Sequence, residues 1–430
     1  MPRGIPECEK FVRDLFGNSS DIVINRFETE REDALIVYVD GLSDKDLIQR
    51  DIIGPLKSKK FDGNIAFSAG AVFTATDDMH MFAEKTLAGF TALFYGSCGK
   101  AFLFELRGWE HRAVEEPSGE SAVRGSREGF VEDLRTNTGM IRRRIKTPEL
   151  RFEEISVGRQ TRTSVVLVYI NGIVNQEVLG ELRARIKDIS TDAVLETGQI
   201  EQMIDKNTFS PVSGIGLTQK PDVLAMRILE GRVAVLVDGT PHALTVPEMF
   251  MDNFKTSDDY YNRTIQANLV RVLRGLALFI TTVLPGLAVA IFTYDMEMLP
   301  SVFLVTLISS SMKTPMPFSF EILLMIVMLE LIKEAGTRMP KAIGAAVTIV
   351  GSLIIGDAAI NAGLVSAPSV IVVAIAALAS FLIPGLTCFV LIYRALFWLL
   401  GSIMGMVGIG AGLVIMMTQL ASTESFGIPV

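Results

Sequence analysis

One boundary constrains this chain more than any motif: its charges nearly stop after residue 268. Residues 1–268 carry 33 basic and 41 acidic side chains, whereas residues 269–430 carry 7 and 7. Such a partition excludes a single water-soluble globule and a disordered chain. It describes a polar domain followed by a largely apolar one. The formal net charge is −8, and the excess acid lies in the polar part, which argues against a polyanion partner and so against nucleic acid. Three cysteines (Cys8, Cys98, Cys388) and three histidines (His80, His111, His242) are widely scattered. Neither set has the spacing of a disulfide framework or a metal site, so a reducing compartment and no cofactor are expected. Met1–Lys10 have no signal-peptide pattern. A domain made before the first long apolar run is expected to stay in the cytoplasm.

The polar part repeats itself. ALIVYVDGLSDKDL (residues 34–47) aligns with VVLVYINGIVNQEVL (165–179) at an offset of 131, with Tyr38 on Tyr169 and Gly41 on Gly172. A second pair sets Gly89 on Gly231 at an offset of 142. The β-branched runs Leu35–Val39, Val165–Ile170 and Val233–Val237 read as strands closed by Asp-Gly or Asn-Gly turns. The expected organisation is two tandem α+β subdomains, 1–106 and 148–268, joined by a linker and basic helix over 107–147. Arg142-Arg143-Arg144 and Lys146 in that linker read either as a phosphate- or headgroup-binding surface or as a solvated helix end stopped by Pro148. Asp258-Asp259-Tyr260-Tyr261 reads as interfacial aromatic anchors or as an acidic first helical turn. GxxxxGK[ST], GxSxG and HExxH are absent from the polar part, and Gly214-Ile215-Gly216 lacks a third glycine, so no enzyme is expected.

Residues 269–430 read as a polytopic helical membrane domain of about five spans plus one re-entrant piece. Gly275–Tyr294 is long enough for a ~30 Å hydrocarbon core, with Arg271 and Arg274 as membrane-proximal cations on the inner side. Pro300–Ser311 is too short to span. Phe318–Glu334, Ala342–Gly356, Ser369–Ile392 and Leu396–Leu420 follow, with Tyr393-Arg394 read as an inner loop and the last run as leading outward. Carboxylates within such segments are costly and mark interiors or wet paths. Glu330 and Glu334 share one helix face, Lys333 lies beside them, and Glu321 falls about 180° away; an interfacial location is the alternative for Glu330 and Glu334. Val347, Val350, Ile354, Asp357 and Asn361 form one stripe from apolar rings to an acidic mouth, which in a symmetric oligomer would suit an ion path. The alternative is a packed helix capped by Asp357. Gly401, Gly405, Gly408, Gly410 and Gly412 read as packing positions.

Several segments together resemble one family. These are FGNSSDIVI (Phe16–Ile24), LRGWEHRAVEEP (Leu106–Pro117), RGSREGFVEDLRTNTGMIRRRIK (Arg124–Lys146), ILEGRVAVLVDGT (228–240), EAGTRMPKAIGAAVTIVGSLIIGDAAINAGLVS (Glu334–Ser366) and LASTESFGIP (Leu420–Pro429). The chain resembles the A subunit of GerA-type spore germinant receptors. The stage V sporulation AF-type relative shares much of the pattern; the FGNSSD opening favours the receptor subunit. The resemblance implies a multi-pass protein of the spore inner membrane with its N-terminal domain facing the core. It also implies a transporter-like, germinant-binding B subunit and a C lipoprotein as partners, and a ring-shaped homo-oligomer that conducts ions. Family members usually continue with a polar tail where this sequence ends at Val430, so tail functions are not carried over. Two other functions stay open: a secondary transporter with helices broken at Pro285-Gly286 and Pro384-Gly385, and a non-conducting scaffold for the B subunit.

Overall fold

The computed structural model describes residues 2, 4–29, 32–57, 73–96, 99–106, 108, 125–206, 210–338, 351 and 356–429. The chain divides into two units. The first comprises Met1–Thr208, Ser213–Glu248 and Ser425–Ile428; the second comprises Phe209–Val212, Met249–Glu424 and Pro429–Val430.

The first unit builds one plan twice. Helix α1 (Ile5–Phe16) leads into strands β1 (Ile22–Glu28) and β2 (Asp33–Val39). The short helices α2 (Lys45–Ile48) and α3 (Gly54–Lys57), β3 (Phe73–Thr76), α4 (Met79–Leu87), β4 (Thr91–Tyr95) and β5 (Ala101–Phe104) follow. In the second copy α5 (Leu134–Arg144) leads into β6 (Leu150–Val157) and β7 (Thr163–Ile170). After them come α6 (Gln176–Lys187), α7 (Thr197–Ile204), β8 (Gly216–Thr218), α8 (Pro221–Leu229), β9 (Val233–Val237) and β10 (Ala243–Val246). The sheet orders correspond, β1-β2-β4-β5-β3 and β6-β7-β9-β10-β8, and every pairing is antiparallel.

The sequence offset predicts which face each strand residue occupies. Leu35, Val37 and Val39 pack with α1 and α4. Their counterparts at +131, Val166, Val168 and Ile170, pack with α5 and α8. The alternate residues face the opposite helical layer, Ala34 and Ile36 toward α2 and α3, Val165 and Leu167 toward α6 and α7. Strands buried on both faces read as unbroken apolar runs, as these do. The turn glycines also correspond. Gly41 and Gly172 have φ of 83° and 89°, Gly89 and Gly231 of 93° and 92°, a backbone region that disfavours a Cβ. Asp44 and Asn175 then cap the next helices by accepting from Asp46 N and Glu177 N, both at 2.9 Å.

The basic helix α5 is the leading helix of the second copy, as α1 is of the first, and its arginines are spoken for. Arg142, 1% exposed, donates to Asp21 at 2.7 and 3.0 Å and to the Leu150 carbonyl at 3.1 Å. Ser19 Oγ accepts from Phe152 N at 2.9 Å. Ser19 and Asp21, from the FGNSSD opening, thus join the two sheets. Arg143 and Arg144 both pair with Glu128. Burial disfavours that carboxylate, but the two guanidiniums outweigh it and hold the Glu128 pKa below its ordinary value. Arg142 is thus a buried joint and Arg143 and Arg144 are ion-paired, while Lys146 is exposed.

The second unit is helical. It contains α9 (Ser257–Tyr261), α10 (Thr264–Thr293), α11 (Ser301–Ser311), α12 (Phe318–Arg338), a helical stretch α13 over 356–361, α14 (Ala367–Ser380) and α15 (Thr387–Ser422). Three readings change here. First, α10 runs unbroken through Pro285, so Pro285-Gly286 is not a helix break, whereas Pro384-Gly385 lie in the turn between α14 and α15. Second, α14 ends at Ser380, and Tyr393-Arg394 lie inside α15 rather than in a loop. Third, α15 reverses. Gly405 has φ 60° and ψ −140°, and Tyr393 Oη reaches Gln419 Oε1 at 2.5 Å. A straight helix would hold those residues ~39 Å apart. A Cβ on Gly408 would lie 2.2 Å from the Leu400 carbonyl oxygen, and one on Gly412 2.7 Å from the Phe397 ring. The arms 387–404 and 406–422 therefore form a tight antiparallel hairpin whose glycines allow the close contact.

Contacts fix the helix directions. Thr281 meets Arg394 and Tyr294 meets Ser402, so α10 and the first arm are parallel. Ser319 meets Ser402 and Glu330 meets Arg394, so α12 runs opposite to that arm. Glu321 meets Ser366 and Lys333 meets Ser380, so α14 follows α12. The stretches Thr264–Thr293 and Pro384–Ser422 are long and apolar enough to cross a membrane; the two arms of the second are ~27 and ~26 Å long.

Candidate functional site

A proline creates the first element of the site. The carbonyl of Thr281 would normally accept from the N–H four residues on, but position 285 is proline and has none. Arg394 fills the gap. Its Nε donates to the Thr281 carbonyl at 3.0 Å, and its Nη2 donates to Thr281 Oγ1 at 2.8 Å. Thr281 Oγ1 in turn donates to the Ala376 carbonyl at 2.8 Å. Arg394 Nη1 pairs with Glu330 at 2.8 Å. Lys333 reaches the same carboxylate at 3.4 Å and Ser380 Oγ at 3.1 Å. One carboxylate thus holds two cations where α10, α12, α14 and the first arm meet. Arg394 is 1% exposed; without these partners its desolvation would be prohibitive.

Small residues bring the backbones close enough for this. A Cβ on Gly286 would sit 2.4 Å from the Phe397 carbonyl oxygen, and one on Gly401 2.5 Å from that of Gly286. Further along the same helices Trp398 Nε1 donates to the Ser319 carbonyl at 2.9 Å. Phe292 and Phe318 stack with centroids 4.1 Å apart.

The other singled-out residues lie apart from the network. Glu321 is fully buried and accepts from Thr314 Oγ1 at 2.6 Å, Ser366 N at 2.9 Å and Ser366 Oγ at 2.5 Å. It caps the start of α14 from a different helix. Glu334 is exposed and pairs with Arg338 at 2.7 Å. Asp357 and Asn361 are exposed on α13; Val347, Val350 and Ile354 lie outside the described residues. Arg271 and Arg274 converge on Asp259 at 3.3 and 2.7 Å. Burial disfavours the Asp259 carboxylate, but hydrogen bonds from Arg274 and the Thr256 N–H prevail and lower its pKa. Asp259 therefore serves as a cap and counter-ion. Among the described residues no three His, Cys, Asp or Glu side chains cluster as metal ligands.

Arg394, Thr281 and Ser366 were missed by sequence reasoning. A lone arginine between two apolar runs looks like a loop. The available signal was Pro285 four residues after Thr281, which announces a carbonyl in need of a donor.

Comparison with known proteins gives a consistent answer. The model of the Bacillus/Clostridium GerA spore germination protein family matches residues 10–430. The chain is 38% identical to the uncharacterized membrane protein YfkQ of Bacillus subtilis, over 95% of this chain and 82% of that one. It is 37% identical to spore germination protein KA of B. subtilis, covering 100% and 80%, and 35% identical to spore germination protein GerLA of Bacillus cereus, covering 98% and 88%. Among solved structures it is similar to the N-terminal domain of the A subunit of the Bacillus megaterium spore germinant receptor GerK3, at 31% identity and TM-score 0.46, over 58% of this chain and 97% of that one. With a family match across nearly its whole length and relatives above 30% identity along most of theirs, the chain belongs to the GerA family of spore germination proteins.

Proposed function

We propose that this chain is the A subunit of a spore germinant receptor, held in the inner spore membrane by its helical unit. In this reading it works with a transporter-like B subunit and a C lipoprotein and assembles as a ring that conducts ions when germinant binds. The observation that carries the membrane part is the inverted distribution of polarity in the second unit. Glu321, Arg394, Thr281, Ser366 and Ser369 are buried, while Ile265, Val302, Val407 and Val414 are at least 67% exposed. Water would penalise that arrangement, and hydrocarbon favours it. The helix directions fit six passes, with the run Ala342–Gly356 expected from the sequence as the third, outward pass and the second arm returning the chain to the inner side. The sequence expectation of an outward last run is replaced in this reading by the two arms of the hairpin.

The ion path in this reading follows Val347, Val350, Ile354, Asp357 and Asn361. The exposure of Asp357 and Asn361 on a single copy leaves them open to water or to another copy. Substituting Val350 or Ile354 by alanine in spores should produce germination without germinant. Reconstituted with its partners, the receptor should pass bulk ion current rather than saturable solute exchange. Substitutions along the whole stripe that alter neither basal germination nor cation release would exclude the path.

A further inference from the structure

The LASTESFGIP segment is not used by the reading above, yet it is built in detail. Strands β11 (Glu424–Ser425) and β12 (Ile428–Pro429) pair around a two-residue turn. Both turn residues have positive φ, Phe426 at 50° and Gly427 at 76°. A turn of this kind selects Asn-Gly, and a bulky residue adopts such φ only at a cost. Its ring supplies the reason for Phe426. It is 7% exposed within the core of the second subdomain, in the cluster containing Leu182, Ile186, Ile204 and Ile215. The Arg185 guanidinium lies 3.9 Å from the ring centroid and is held in place by Glu181 at 2.7 Å. Ser425 Oγ donates to the Gly214 carbonyl at 2.5 Å. A side chain at Gly214 would meet Ser425 Cβ at 2.8 Å, so the seat requires glycine there.

We infer that this turn is a fixed strut. The polypeptide passes from the helical unit into the soluble unit between Glu424 and Ser425, directly after the second arm of the hairpin. Because the ring is locked in a folded core, any displacement of the second subdomain is delivered to that arm through two or three residues of chain. A segment free of that core would transmit nothing. The strut itself stands on the geometry alone; its role in signalling rests on the receptor reading.

The test is hydrogen exchange on the full-length protein in nanodiscs. Phe426→Ala should accelerate exchange by at least tenfold both in loop 210–216 and in the last turns of the second arm, residues 413–422. Gly214→Ala, acting from the other side of the seat, should give the same pattern. Phe426→Leu, which keeps an apolar plug, should stay within about threefold of the parent and so control for misfolding. Acceleration confined to residues 424–429 would overturn the strut. In spores carrying Phe426→Ala at the parent protein level, the germination rate should fall at least tenfold. Coupled exchange with unchanged germination would keep the strut and overturn its signalling role.

Discussion

Arg142 in the first, α+β unit and Arg394 in the helical unit are equally buried, at 1% exposure each, but they are satisfied differently. Arg142 receives both oxygens of Asp21, with the Leu150 carbonyl beside them. Arg394 donates to one oxygen of Glu330, which it shares with Lys333, and draws its other partners from Thr281, whose carbonyl lacks its usual donor because position 285 is proline. The first arginine fastens two preformed sheets at a joint. The second is a packing element of the helices it joins, and its counter-charge is divided. A bidentate pair puts its stability into one carboxylate; the network spreads it over neutral oxygens.

The sharpest way to break this comparison is Asp21→Ala. It leaves Arg142 buried without a counter-charge and should cost about 3–5 kcal/mol in denaturant unfolding of the first unit. A loss below about 1 kcal/mol would mean that the joint is not bidentate in solution. Glu330→Ala should cost less, about 1–3 kcal/mol, because Arg394 keeps both oxygens of Thr281. Equal losses at the two sites would erase the distinction. Thr281→Val removes only the hydroxyl and should cost about 1 kcal/mol, measured as the melting shift of the detergent-solubilised protein.

The smallest effect concerns a third arginine, Arg274, 8% exposed and paired with Asp259. Because the folded-state pKa of Asp259 is lowered, its contribution is present above the unfolded value near ~3.9 and disappears as pH falls through the folded value. The parent should melt above Arg274→Ala at pH 6, and the gap should narrow below about pH 4. A gap independent of pH would show that Arg274 acts by packing alone.

What the sequence disclosed followed from periodicity and offset. An offset of 131 carries Leu35, Val37 and Val39 onto Val166, Val168 and Ile170, which occupy corresponding faces of the two sheets, because a two-residue repeat leaves no freedom once the register is set. The basic helix α5 was legible as a helix but not as the leading element of the second copy, because its buried arginine looks polar in sequence, and only Asp21, 121 positions earlier, makes it a core residue. The site was less legible. Glu330 was recognisable as a carboxylate in an apolar run, but its partner is 64 positions away. The reversal at Gly405 was concealed because glycines used for packing and a glycine used for a turn look alike in an apolar run of 25 residues.

In the membrane reading proposed above, that reversal has a consequence for how the chain enters a bilayer. Between Arg394 and Glu424 there is no charged side chain, so the tip at Gly405 has no hydrated group to drag through the hydrocarbon. In that reading the two arms would enter together as one hairpin wedge with no charge between them. Orientation signals written in lysine and arginine have nothing to act on there, and the wedge is steered instead by what lies at its two open ends.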